Sequence, residues 1–276
     1  MKTVVVTGGT DGMGAALVRH YLRNGDRVVA VGRSRAKFAA LLASVAADTP
    51  SAADRAEFIG ADLSLVAESG RVASRIRSGF ERVDALVLAA SFIRQRRHVT
   101  AEGREASWVL FFVSKYVLVT ALADRLAAAE RPVVVNTSVP GAKAGALDFA
   151  DLELEHGFTF TRSNARQRRA NELLGILATD RNPRLGYVTW GPAKLVKTGF
   201  AGEVGPAMKY TAALLAPLVG QSADTAVRPI IELIADPPTG RAAYRGSRRV
   251  PLIEGADDPG DAHRLAAAVT AHPTDR

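Results

Sequence analysis

The sequence predicts an α/β fold with a doubly wound, parallel sheet, on three observations. Short runs rich in β-branched residues alternate with longer helical patterns along most of the chain. The runs are apolar at consecutive positions, as strands covered on both faces are. A glycine cluster, Gly8-Gly9-Thr10-Asp11-Gly12-Met13-Gly14, lies between the first run and the first helical pattern.

Taken in order, strands are expected at Thr3–Val6, Arg27–Val31, Ala56–Ile59, Ala85–Leu88, Pro132–Val135 and Gly186–Trp190, with a seventh near Ala242–Tyr244. Valine, isoleucine and leucine dominate these runs, which are too short for core helices. Helices are expected at Gly12–Arg23, Ser34–Ala46, Leu65–Ser78, Glu102–Ala128, Ser163–Thr179 and Ala223–Ala235. Strand-helix alternation of this kind, opened by a glycine turn, is the pattern of a Rossmann-type sheet of about seven strands. With 276 residues and 47% apolar composition, one sizeable core and one domain are expected. That domain runs over 1–258 and includes a Gly-, Ala- and Pro-rich lid at 199–220; residues 259–276 read as a separable tail, an Ala-rich helix with a fraying end.

Composition excludes several chemistries. There is no cysteine, so disulfides, thiolate nucleophiles and Cys-ligated metals are ruled out by inventory. The five histidines are scattered without an i,i+4 pair, which argues against a metal site. No window has the uninterrupted apolar length of a membrane span, and the Met1–Gly9 stretch lacks the pattern of a signal peptide. A soluble, cytoplasmic protein is expected. The net charge of +8 is spread along the chain with no aromatic-rich basic motif, so it points to anionic small molecules rather than nucleic acid.

The glycine cluster carries the strongest chemical signal. Glycines at a strand-to-helix turn permit a tight bend and let backbone amides approach phosphate oxygens, while the helix N-terminus presents free N–H groups and the positive end of its dipole. Gly8, Thr10, Asp11, Gly12, Met13 and Gly14 are therefore expected to cradle a dinucleotide pyrophosphate. After the second strand comes Gly32-Arg33-Ser34-Arg35 with no carboxylate in the turn. A carboxylate there would accept from a ribose 2′-OH, whereas arginine accommodates a 2′-phosphate, so Arg33 and Ser34 favour NADP(H) over NAD(H).

With TGxxxGxG, then Gly32-Arg33-Ser34, then Asp62-Leu63-Ser64 after the third strand, the sequence resembles the short-chain dehydrogenase/reductase family over residues 1–236, and is most similar to its retinol-dehydrogenase-like and polyketide-tailoring branches. The resemblance implies that Asp62, with Leu63 beside it, meets the adenine amino group. Ala89-Ala90-Ser91 stands where the family has Asn-Ala-Gly, so Ala89 and Ala90 keep the small size that lets the chain pass under the cofactor.

The family's catalytic residues are replaced. Its active-site asparagine falls at Phe111 or Phe112. Its VNxSS motif is matched by Val135-Asn136-Thr137-Ser138-Val139, which puts valine at the catalytic serine and leaves Ser138 to act only if the turn shifts. Its YxxxK motif, aligned through Ala170-Asn171, falls on Asn164 and Arg168. An asparagine cannot act as an acid and an arginine stays charged, so neither releases a proton near neutrality; Arg168 can still bond nicotinamide ribose hydroxyls. The PGxVxT motif is matched, with one residue added, by Gly191 to Thr198, which implies Pro192 against the nicotinamide ring and Thr198 on its carboxamide.

Two classes of function fit these residues. One is a ketoreductase acting on a small-molecule ketone of bulky, aromatic polyketide type, in which a neighbouring phenol or enol of the substrate provides the proton. In the other, a non-redox relative acts as a cyclase, isomerase or regulatory NADPH sensor. Self-association into a homo-oligomer is left open by the sequence.

Overall fold

The structure is a computed structural model and describes residues 1–194, 196, 202–203 and 220–271. Its centre is an eight-stranded sheet in the order β3-β2-β1-β4-β5-β6-β7-β8. The strands are β1 (Thr3–Thr7), β2 (Arg27–Gly32), β3 (Ala56–Gly60), β4 (Ala85–Leu88), β5 (Val133–Asn136), β6 (Gly186–Gly191), β7 (Gly240–Arg245) and β8 (Arg248–Val250). All pair in parallel except β7 with β8.

Successive strand residues face opposite sides. Val5, Leu86, Val134 and Tyr187 enter one core layer, and Val4, Val6, Val87, Val135 and Val188 enter the other. The first layer is closed by α3 (Val66–Gly79), α5 (Ser114–Ala121) and α7 (Phe160–Arg181); the second by α1 (Gly12–Arg23), α2 (Arg35–Ala46) and α9 (Arg228–Ala235).

Register positions the site. Thr7 lies opposite Leu88, Leu88 opposite Asn136, and Asn136 opposite Thr189. The loops after β1, β4, β5 and β6 consequently emerge side by side at the C-terminal edge. Chain order reverses between β1 and β4, which is where α/β sheets open a crevice.

Four expectations change. An eighth strand, Arg-Arg-Val, closes the far edge through a turn at Gly246 (φ +59°); mostly polar and exposed, it lacks the apolar run that marks a buried strand. The helix expected over Glu102–Ala128 starts later, because the Glu105 carboxylate accepts from Ser107 N and Trp108 N and so caps α4 (Ala106–Trp108). A π-turn over Val109–Val113 follows, then α5, then α6 (Ala123–Ala127) after a break at Leu122. The helix expected over Ala223–Ala235 is divided at Val227 into α8 (Ala223–Ala226) and α9, whose second residue is Pro229.

The helix expected as a separable tail, α10 (Asp258–Thr270), instead docks on α7. Ala262 and Leu265 are fully buried there, and Asp258 pairs with the buried Arg169, which also lies 3.4 Å from Glu172. No helix among the described residues is long and apolar enough to cross a membrane.

Candidate active site

The glycine turn is shaped first by its own backbone. Gly8 (φ +68°) and Gly12 (φ +50°) take a conformation that side chains disfavour. A Cβ on Gly14 would lie 2.1 Å from the Gly8 carbonyl oxygen, and one on Gly8 would lie 2.9 Å from the Ala89 oxygen and from the Ala90 N and Cα. These glycines therefore allow the start of α1, the turn and the β4 loop to touch. Thr7 Oγ1, fully buried, accepts from Ala89 N (3.0 Å) and Ala90 N (3.2 Å) and locks that approach. Asp11 caps α1 by accepting from Gly12 N and pairs with Lys37, and Ser34 caps α2 by accepting from Lys37 N. Thr10 packs where a Cβ on Gly32 would stand, and Met13 packs against the core.

At the end of β2, the Arg33 guanidinium lies 4.8 Å from the Phe92 ring centroid, and Arg94 lies the same distance from that ring. Asp62 accepts from Ser64 N (3.0 Å) and Ser64 Oγ (2.7 Å). Burial works to raise its carboxyl, but the Ser64 bonds and the Arg33 and Arg94 charges outweigh that and hold it below the usual range. Leu63 is buried in the core beside it. Two cations and an ionised acid thus flank the first glycine turn, where a phosphate-bearing adenosine would lie.

On the other side, the end of β5 sits over a buried polar network. Asn136 Nδ2 donates to Asn171 Oδ1 (2.6 Å) and to the Tyr187 hydroxyl (2.8 Å), and Asn136 Oδ1 accepts from Lys115 Nζ (2.8 Å). Tyr187 donates to Asn171 O, and Asn171 Nδ2 donates to Phe111 O (2.8 Å) and Gln167 O (2.7 Å). Lys115 is 3% exposed, and burial pushes its amine down to about 7. Of the two phenylalanines at the position of the family's asparagine, Phe112 is in the core and Phe111 is partly exposed, inside the π-turn.

Val139 is held at φ +52°, an outlier for a β-branched residue, by its N–H to Trp190 O (3.1 Å) and by Gly191, where a Cβ would come within 3.1 Å of the valine side chain. The neighbouring Ser138 Oγ is buried with no hydrogen-bond partner among the described residues. Arg168 Nε and Nη2 donate to Val139 O and Pro140 O (2.7 Å each), so this guanidinium braces the turn that carries Ser138. Burial lowers its hold on its proton and nearby Arg245 adds repulsion. Asn164, one helical turn before Arg168, is half-buried. Pro192 follows β6 directly; Thr198 and the lid residues 204–219 lie outside the described residues.

The sheet brings the Gly8–Gly14 turn, Arg33, Asp62 and Ala89–Ala90 together at one end of the crevice, and Ser138 and Pro192 at the strand ends beyond, where Arg168 reaches the Ser138 turn from α7. Sequence reasoning missed Phe92, Arg94 and Lys115. A run of Arg94, Arg96 and Arg97 looks like a solvated loop, and Lys115 lies in a helix with no charge pattern to mark it as buried.

The model of the short chain dehydrogenase family matches residues 2–150. An uncharacterized oxidoreductase of Saccharomyces cerevisiae is 26% identical over 244 residues, 85% of this chain and 74% of its own. A Streptomyces protein provisionally named a daunorubicin C-13 ketoreductase is 29% identical over 197 residues, 70% of this chain and 66% of its own. Mouse retinol dehydrogenase 13 is 28% identical over 151 residues, and the chain spans only 45% of its length. Among solved structures, Gluconobacter frateurii L-sorbose reductase complexed with NADPH and L-sorbose aligns with a TM-score of 0.63 at 17% identity, covering 89% of this chain and 95% of that one. An alcohol dehydrogenase of Thermococcus sibiricus complexed with 5-hydroxy-NADP aligns with a TM-score of 0.63 at 17% identity, covering 91% and 99%. With the family model matched over residues 2–150, more than half of the chain, and the same fold found in the solved structures, this chain belongs to the short-chain dehydrogenase family.

Proposed function

We propose that the protein is an NADPH-dependent ketoreductase acting on a bulky, aromatic, polyketide-like ketone whose own neighbouring phenol or enol supplies the proton. One observation carries the reading: a glycine turn and an arginine suited to a nucleotide lie at the sheet edge that α7 also reaches, and α7 carries Asn164 and Arg168 at the positions the resemblance gives to the acid and its lysine. The cradle suits the cofactor: Gly8 and Gly12 take the left-handed conformation that forms the tight turn into α1, and Arg33 leaves its charge at the β2 end. Bound there, the reduced nicotinamide supplies hydride.

The chain's own groups then have three tasks. Gly12 to Gly14 and the start of α1 hold phosphate; Pro192 confines the nicotinamide, a task the resemblance also gives to Thr198; Arg168 fixes the turn that carries the Ser138 hydroxyl. General acid assistance is worth roughly 10²- to 10⁴-fold. A lone serine hydroxyl, beside the Arg168 guanidinium but with no general base, supplies a hydrogen bond but little acidity. A substrate phenol or enol beside the carbonyl meets the remaining demand, which is why an aromatic polyketide type is favoured, in line with the ketoreductase name of the Streptomyces relative. The test is loss of the reduced-nicotinamide absorbance with a panel of hydroxyaryl ketones: turnover of these, and not of plain aryl ketones, is expected. The replaced tetrad also supports a second reading, a non-redox cyclase, isomerase or NADPH sensor; binding of NADPH without oxidation by any ketone in the panel would favour it.

A further inference from the structure

We propose that Arg94 is a second specificity residue for the cofactor, holding the 2′-phosphate of NADPH jointly with Arg33 across the ring of Phe92. The inference rests on the NADPH reading above and adds to it a residue from a different strand. Arg33 follows β2 and Arg94 lies in the loop after β4, and these are the two strands that flank β1. Their loops therefore bracket the glycine turn from both sides.

Each guanidinium lies 4.8 Å from the Phe92 centroid, so two like charges share one ring. Arg94 Nη1 is buried and has no hydrogen-bond partner among the described residues. A buried charged donor left unpaired is costly, and such groups in native proteins normally have a partner. The acids that Arg94 senses, Asp62, Glu105 and Glu203, act on it at a distance, and Asp62 is already engaged by Ser64. A phosphate dianion beside the ring would satisfy the unpaired donor and relieve the repulsion between the two arginines. The loop is also held in place, because Ile93 O accepts from Glu203 N (2.8 Å) and Ile93 pairs with Gly202. An anionic group on the substrate is the weaker assignment, since the substrate's place lies towards β5, β6 and α7.

Titration calorimetry with NADPH, NADH, adenosine 2′,5′-bisphosphate and 5′-AMP on the wild type, Arg33→Ala, Arg94→Ala and the double variant tests this without any turnover. In Arg94→Ala, NADPH and the 2′,5′-bisphosphate should weaken on the order of 10- to 100-fold, with NADH and 5′-AMP unchanged. The double variant should lose less than the product of the two single losses, because one phosphate serves both side chains. Arg94→Gln is read in the same way if the alanine variant does not fold. A wild type that prefers NADPH with Arg94 variants that keep that preference would overturn the inference and leave the NADPH reading standing. Equal affinity of the wild type for NADPH and NADH would overturn both.

Discussion

Lys115 Nζ donates to Asn136 Oδ1 at 2.8 Å, and this neutral amide is the amine's hydrogen-bond partner inside a fully buried network. Burial without a paired carboxylate pushes the amine from 10.5 down to about 7. Between these values the unfolded chain binds a proton that the folded one does not, so stability should rise with pH from about 7 to about 10 and be flat below 7. The whole rise is on the order of 4 kcal/mol. Urea unfolding at pH 6 to 9.5 would show it, and Lys115→Met should flatten the curve. An unchanged slope in the variant would assign the effect to another group.

The Gly8 carbonyl oxygen would sit 2.1 Å from a Cβ on Gly14. The clash is with the protein's own turn, so Gly14→Val should lose cofactor affinity and also melt lower, and Gly14→Ala should show both effects in weaker form. Equal melting temperatures with lost binding would return Gly14 to a purely ligand-facing role.

Arg33→Ala should weaken NADPH by an amount corresponding to about 1.5–3 kcal/mol, the value of a charge-assisted hydrogen bond, with little effect on NADH. Fluorescence titration of the two cofactors is enough. A wild type with equal affinities rules this assignment out.

If the substrate donates its own proton, Ser138→Ala and Asn164→Ala should each lower kcat by less than about 10²-fold, the bottom of the range for a true general acid. Methylation of the substrate's neighbouring phenol should cost more than either. Collapse of turnover in Ser138→Ala, with the methyl ether still reduced, would make the buried serine hydroxyl the donor and sink substrate assistance.

Asp258→Asn removes the charge facing Arg169, which is 1% exposed in its side chain and keeps only Glu172 and the Ile253 carbonyl. The expected loss is about 3 kcal/mol, the low end for a broken buried pair because partners remain. That corresponds to a Tm lower by roughly 6–12 °C in a chain of this size. An unchanged Tm would mean that α10 docks through Ala262 and Leu265 alone.

What the sequence determined by itself was local in origin. Continuous apolar runs announce strands buried on both faces, and the Ala85–Leu88 strand and Gly12–Arg23 helix stand where their patterns place them. A glycine cluster between strand and helix declares a turn, and the absence of tyrosine and lysine at 164 and 168 is visible without coordinates. Tertiary structure decided what depends on which strands are neighbours and which helix face is covered. Arg33 and Arg94 meet at Phe92 because β2 and β4 both flank β1, a fact of strand order and not of spacing. Lys115 is buried because α5 turns that face towards β5, where packing overrides the usual preference of lysine for water. The helix after Pro259 joins the core because Arg169 and Asp258, 89 positions apart, close a pair that no local pattern can reveal.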